Sequence, residues 1–163
     1  MSSSHVGRIE LPNGRSFSRM VYGAMRLTQT QNPSVDHTLA CIDACLAQGI
    51  TTFDHADIYG DYAVQNLFGE ALRLKPSLRQ QMQLVSKCGI ALPSTRRPEH
   101  GLKHYNTTAQ HIRASVETTL QALGTDRLDL LLIHRPDPLM DADEVARCFE
   151  ALQHEGKVLE FGA

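Results

Sequence analysis

At 163 residues, with 42% apolar and 21% charged side chains, the chain is long enough to bury one hydrophobic core and is not the composition of a disordered segment. Its formal net charge of −2, with both signs interspersed and no block of like charges, excludes a nucleic-acid patch or a basic lipid anchor and leaves a small molecule as the expected partner. The opening MSSSHVGRIELPNG has no apolar stretch of signal-peptide length, and no segment approaches the ~18 apolar residues of a membrane span, so the cytoplasm is the expected location.

In chain order, IELPNGRSF reads as a short hairpin, since Pro12, Asn13 and Gly14 supply turn chemistry between two short runs. This hairpin, within residues 1–18, is expected to be a decoration on a single domain that spans 1–163. From residue 19 the pattern becomes strand, loop, helix, repeated. MVYGAM is a short apolar strand; Ser34 then offers an N-cap, Val35, Leu39, Ile42 and Leu46 recur at helical spacing, and Gly49 closes the helix. The second unit is TTFDHA with a helix bearing Val64, Leu67, Phe68, Ala71 and Leu72. MQLVSKCG opens the third, whose helix carries Ile112, Val116, Leu120 and Leu123 and ends at Gly124. LDLLLIH follows, with a helix that has Asp141, Asp143 and Glu144 at its start, where acids suit the dipole, and Gly156 at its end. KVLEFGA starts a fifth strand.

Strands alternating with helices at a spacing of about thirty residues mean a parallel sheet. The exception is IALPSTRRPEHGLKHYNTT, between strand three and its helix, which reads as a long and therefore functional loop. An open doubly wound sheet would carry a glycine fingerprint after strand one, and VYGAMRLT has none. The expected fold is a (β/α)8 TIM barrel. Because a full barrel takes about 250 residues, the chain is expected to hold the N-terminal hairpin and roughly four and a half βα units, about the first half. The cysteines Cys41, Cys45, Cys88 and Cys148 form no Cys-x-x-Cys spacing and read as small core side chains.

Reactive residues in such folds gather at strand ends. Strand two ends at Asp54 with Tyr59 in the following loop, strand three ends at Lys87, and strand four ends at His134. A carboxylate, a phenol, an ammonium and an imidazole would then share one mouth. The segments FDHADIYG, LVSKCG, LDLLLIHRPDP and GKVLEFG, in that order, resemble the aldo-keto reductase family from about Arg19 onward. That resemblance implies a (β/α)8 barrel that reduces aldehydes or ketones with NADPH, and it implies a catalytic tetrad at Asp54, Tyr59, Lys87 and His134.

The chemistry of those roles is coherent. A carbonyl that accepts hydride develops negative charge on oxygen and needs a proton donor in a polar hole. Tyr59 would donate, Lys87 would stabilise the phenolate left behind, Asp54 would hold Lys87 charged and in place, and His134 would orient the carbonyl. His55 and Asp57 are expected to shape the loop. Where the family often has Glu, this chain has Gln65, a change expected to cost a loop or helix contact and not the tetrad.

The resemblance also places the cofactor across the mouth, against backbone near Met25 and Arg26, with Asp54 reaching the ribose. Its remaining contacts would come from later strands, so the 163 residues alone are expected to reduce carbonyls poorly, to expose the edges of strands one and five, and to self-associate through them. Two rivals stand beside this expectation. One is a metal-dependent hydrolase built on Asp54, His55, Asp57 and His134. The other is a catalytically impaired half barrel that binds a partner or a nucleotide through its open edge.

Overall fold

The computed structural model describes residues 6–163, so the first five residues of the expected hairpin segment lie outside the described residues. Strands β1 (Arg8–Glu10) and β2 (Ser16–Ser18) pair antiparallel with Ile9 opposite Phe17. Between them Gly14 takes φ 82°, which a side chain resists, and Asn13 Oδ1 accepts the Arg15 N–H at 3.1 Å. This hairpin is more than a decoration. Ser18 Oγ accepts the backbone N–H groups of Thr51 and Thr52 at 3.0 Å each, Arg8 donates to Thr51 Oγ1 at 3.0 Å, and Arg15 pairs with Glu160 at 2.7 Å. The first donors of a parallel strand need acceptors, and the hairpin supplies them.

The remaining strands are β3 (Val21–Gly23), β4 (Thr52–Asp54), β5 (Gln83–Cys88), β6 (Ile90–Ala91), β7 (His104–Tyr105), β8 (Leu130–Ile133) and β9 (Phe161–Gly162). Five of them form one sheet in the order β3-β4-β5-β8-β9, every neighbour parallel. Helices α1 (Val35–Ala47), α3 (Val64–Leu74), α4 (Ala109–Leu123) and α5 (Ala142–His154) follow successive strands, and each packs on the next. A further four-residue turn, α2 (Tyr59–Tyr62), precedes α3. This alternation is that of the first half of a (β/α)8 barrel.

Side-chain caps set where the helices begin. Ser34 Oγ accepts from His37 N at 3.2 Å, Thr108 Oγ1 from His111 N at 3.3 Å, and Asp141 Oδ1 from Asp143 N and Glu144 N at 3.0 Å. Gly124 ends α4 in the left-handed region at φ 65°. Fully buried Phe53, Ile42, Phe68, Leu84, Ile112, Leu123, Leu131 and Leu152 fill the layer between sheet and helices. Each such side chain stabilises the fold by about 1.5–3 kcal/mol. α3 and α4 meet at Gly69, where an added Cβ would lie 1.9 Å from the Ala122 carbonyl oxygen.

Two expectations change. The first strand stops at Gly23, and Ala24–Gln29 winds into a 3-10 turn that buries Ala24 and Leu27. The long segment after β5 is not structureless: β6 and β7 pair antiparallel, Ile90 with Tyr105 and Ala91 with His104.

Candidate active site

Parallel register brings the strand ends level. Asp54, the last residue of β4, sits opposite Val85, and Lys87 of β5 sits opposite Leu132 of β8. The ladder continues past the strands: His55 N donates to Val85 O at 2.9 Å, Asp57 N to Lys87 O at 3.1 Å, and His134 N to Cys88 O at 2.8 Å. The backbones that carry Asp54, Lys87 and His134 are therefore fixed by the sheet itself.

Lys87 is the centre of the group. Its Nζ donates to Asp54 Oδ1 at 2.6 Å and Oδ2 at 2.7 Å, to the His55 carbonyl at 2.9 Å, and to the Tyr59 hydroxyl at 3.1 Å. An ammonium has only donors, so Tyr59 oxygen accepts from Lys87 and the phenol's own proton is left to point elsewhere. Lys87 also lies 5.1 Å from the Tyr59 ring centroid, and the His134 ring meets Tyr59 edge-on at 5.9 Å. The pair is shielded, with Lys87 15% and Asp54 26% exposed in their side chains. Shielding of this kind strengthens the attraction beyond that of a surface ion pair.

Tyr59 owes its place to an unusual turn. Within α2, Gly60, Asp61 and Tyr62 take φ of 57°, 56° and 61°, a left-handed winding that two residues with side chains adopt at a steric cost of roughly 1–2 kcal/mol each. Gly60 has no room for a Cβ, which would come within 2.5 Å of Thr28 Oγ1. Tyr62, the last residue of the turn, is held by its hydroxyl, which accepts from Leu92 N at 2.9 Å. Backbone strain next to a reactive side chain is a feature of functional sites.

Tyr59 and His134 border a cleft of about 360 Å3 whose wall also includes Met25, Gln29, Ile58, Ile90, Leu92, Lys103, Tyr105 and Arg135. Met25 reaches this wall and is 48% exposed. Arg26 is exposed and does not line it. Sequence reasoning missed Gln29, Lys103, Tyr105 and Arg135. The signals were present but indirect: Arg135 directly follows His134, and Lys103 and Tyr105 lie in the long segment singled out for its length.

Burial, more than charge, sets the state of the His134 ring. Burial, then the Lys87 and Arg135 cations, hold its basicity below that of an ordinary histidine, which favours the neutral ring near pH 7. Its Nδ1 is buried with no protein partner. The other ligand-type residues turn away. The His55 ring is wholly buried, edge-on to Phe68 at 4.5 Å, and burial together with Lys87 pushes its pKa down to about 3. Asp57 aims at α4, where its Oδ2 accepts from Ser115 Oγ at 2.7 Å. The four residues of the metal-hydrolase alternative thus face three directions. Gln65 has neutral work: its Nε2 donates to Ser86 Oγ at 2.9 Å and its Oε1 accepts from Thr119 Oγ1 at 3.1 Å, tying α3 to β5 and α4.

Comparison with known proteins places this chain in a family. The Aldo/keto reductase family model matches residues 19–163. An uncharacterized oxidoreductase, YcsN of Bacillus subtilis strain 168, is 54% identical over 155 residues, covering 95% of this chain and 51% of the relative. A 6-dehydroglucose reductase of Agrobacterium fabrum is 49% identical over 155 residues, covering 95% and 52%. The chain therefore spans about half the length of the curated relatives it matches. The holo form of aldo-keto reductase AKR11C1 from Bacillus halodurans superposes with a TM-score of 0.80 over 97% of this chain and 50% of that one, at 24% identity, and so speaks to the fold alone. The same motifs that end β4, β5 and β8 at one mouth run through the matched residues, and the chain belongs to the aldo/keto reductase family.

Proposed function

We propose that the protein reduces aldehydes or ketones to alcohols with NADPH, and that Tyr59 is the proton donor. The observation that carries this reading is the Lys87 ammonium bonded at once to both Asp54 oxygens and to the Tyr59 hydroxyl, beside the His134 ring. The residues fit a nicotinamide cofactor on one further point: Met25 is half exposed at the wall of the cleft that Tyr59 borders. Asp54 and the backbone around Met25 and Arg26 would hold it. When bound, it supplies hydride to the carbonyl carbon.

The chain's own residues manage the proton. The carbonyl oxygen sits against the Tyr59 hydroxyl and the His134 ring, which receives it as a neutral hydrogen-bond donor. As negative charge grows on that oxygen, the Tyr59 proton moves to it and the alcohol forms. The phenolate that remains is stabilised by Lys87, and solvent returns the proton. Asp54 keeps Lys87 charged and aimed, and Ile58, Ile90 and Leu92 give the cleft an apolar side.

NADPH titration followed by its fluorescence, then turnover of 4-nitrobenzaldehyde followed by absorbance, tests this. Tyr59→Phe should bind NADPH like the parent and lose turnover by roughly 10²–10⁴-fold. Measurable turnover that is equal in the two proteins would overturn the assignment. A second reading, a partner-binding half barrel, is favoured by one observation: β3 and β9 each have a sheet neighbour on one side only.

A further inference from the structure

Three imidazoles gather where the segment between β6 and β7 meets α4. The ring centroid of His100 lies 6.0 Å from that of His104 in β7, 6.3 Å from that of His111 in α4 and 6.2 Å from that of Tyr62. His100 is closed in, its side chain 12% exposed, with Nδ1 3.3 Å from the Leu92 carbonyl oxygen and 3.4 Å from the Tyr62 hydroxyl. Arg97 adds a guanidinium 5.0 Å from the Tyr62 ring centroid. A cavity of about 180 Å3 has Asp57, Arg97, Glu99, His100, His111 and Ser115 in its wall. Two buried atoms of those side chains, His111 Nε2 and Asp57 Oδ1, have no hydrogen-bond partner.

Histidine is the side chain that gains charge between about pH 5 and pH 8. In the imidazolium both ring nitrogens are donors, so a charged His111 would keep an unpaired N–H in the interior beside His100, His104 and Arg97. Burying a charge on those terms is costly. Burial first, then His100, His104 and Arg97, already hold the basicity of His111 below that of an ordinary histidine. A state in which the ring reaches water therefore binds the extra proton, and falling pH favours that state. The acids nearby do not reverse this. Burial lifts the Asp57 pKa to about 6, so its charge fades as the rings gain theirs. Glu99 lies 3.8 Å from His100 Nε2, but it is 62% exposed and belongs to the same segment, so it moves with His100 and does not hold it to α4. The segment is also lightly held, because β6 and β7 share two residue pairs and both β7 residues are exposed.

We propose that segment 92–104 is an acid-released clasp, closed over His111 while His100, His104 and His111 are neutral and lifted from α4 when these rings become cationic. Leu92, Lys103 and Tyr105, at the ends of the segment, belong to the wall of the cleft that Tyr59 borders, so release opens that wall. The clasp does not depend on the reductase reading, and its test needs no turnover.

Amide hydrogen exchange followed by mass spectrometry, corrected for the intrinsic exchange rate, compares the parent, His111→Gln and His104→Gln at about pH 7.5 and about pH 5.5. In the parent, protection over 92–104, including the Leu92 amide that Tyr62 holds, should fall by about tenfold per pH unit for each proton taken up, while β4, β5 and β8 keep theirs. His111→Gln cannot ionise there and should retain most of its neutral-pH protection in acid. His104→Gln, at an exposed position, should weaken the pH dependence in part, and it carries the comparison if His111→Gln does not fold. Equal protection of the parent segment at both pH values overturns the inference. So does an acid loss of the parent's size in every variant that folds. A loss shared in step by the sheet strands is global unfolding and rejects the clasp as well.

Discussion

Asp57 lies three residues after Asp54 but serves the other side of the loop, and its titration gives a pH signature. Burial is the main cause that lifts its pKa from 3.8 to about 6, against the opposing bond from Ser115. Between those values the folded carboxyl holds a proton that the unfolded one has given up, so this group's contribution to stability falls as pH rises through the window. His55 acts with the opposite sign. Its folded pKa of about 3 lies below the ordinary 6.5, so the unfolded state binds the extra proton and stability rises with pH. In the parent the two oppose each other between about pH 4 and pH 6. Asp57→Asn removes one of them. Urea denaturation should show a variant whose stability climbs with pH across that range more steeply than the parent's, with a relative gain of about 3 kcal/mol by pH 7. Parallel curves for the two proteins would reject the buried-acid account.

Elements are joined most tightly where α3 crosses α4 at Gly69. A methyl there would run into the Ala122 carbonyl and the Leu123 backbone, which cannot move without shifting a helix. Gly69→Ala should therefore destabilise by about 1–3 kcal/mol or more, despite the better helix propensity of alanine, and thermal unfolding measures it. At this scale the sequence was largely legible, because caps and periodicity are local: Ser34, Asp141 and Gly124 sit at the helix ends where their chemistry placed them. The alternation of strands and helices located Asp54, Lys87 and His134 at strand ends for the same reason. What was not legible depends on distant partners. The β6–β7 pair joins residues fourteen or so apart through a segment with no periodicity, and nothing in Asp61 or Tyr62 announces a left-handed backbone. Because Lys103, Tyr105 and the position of the Tyr59 hydroxyl depend on those two features, the strand-end places of Asp54, Lys87 and His134 were legible in the sequence but the seating of Tyr59 and the cleft wall were not.

For the whole molecule, association turns on the two outer strands of the sheet. β3 ends the sheet on one side, with Val21 49% and neighbouring Met20 60% exposed, and β9 ends it on the other. Unpaired strand edges beside exposed apolar side chains recruit further strands. The 163-residue chain is expected to grow in apparent mass along a concentration series in light scattering, and an invariant monomer would exclude edge pairing. At the other end of the strands, one amine fastens β4, β5 and the turn carrying Tyr59 to one another. Anyone seeking a silent reference protein should consequently leave Lys87 alone: deleting it would strand the Asp54 carboxylate without its cation and loosen the framework, so lost turnover could not be told from lost shape. Taking a single oxygen from the Tyr59 ring instead leaves the Lys87 bonds to Asp54 and His55 in place, so a loss of turnover there would report on the proposed proton transfer.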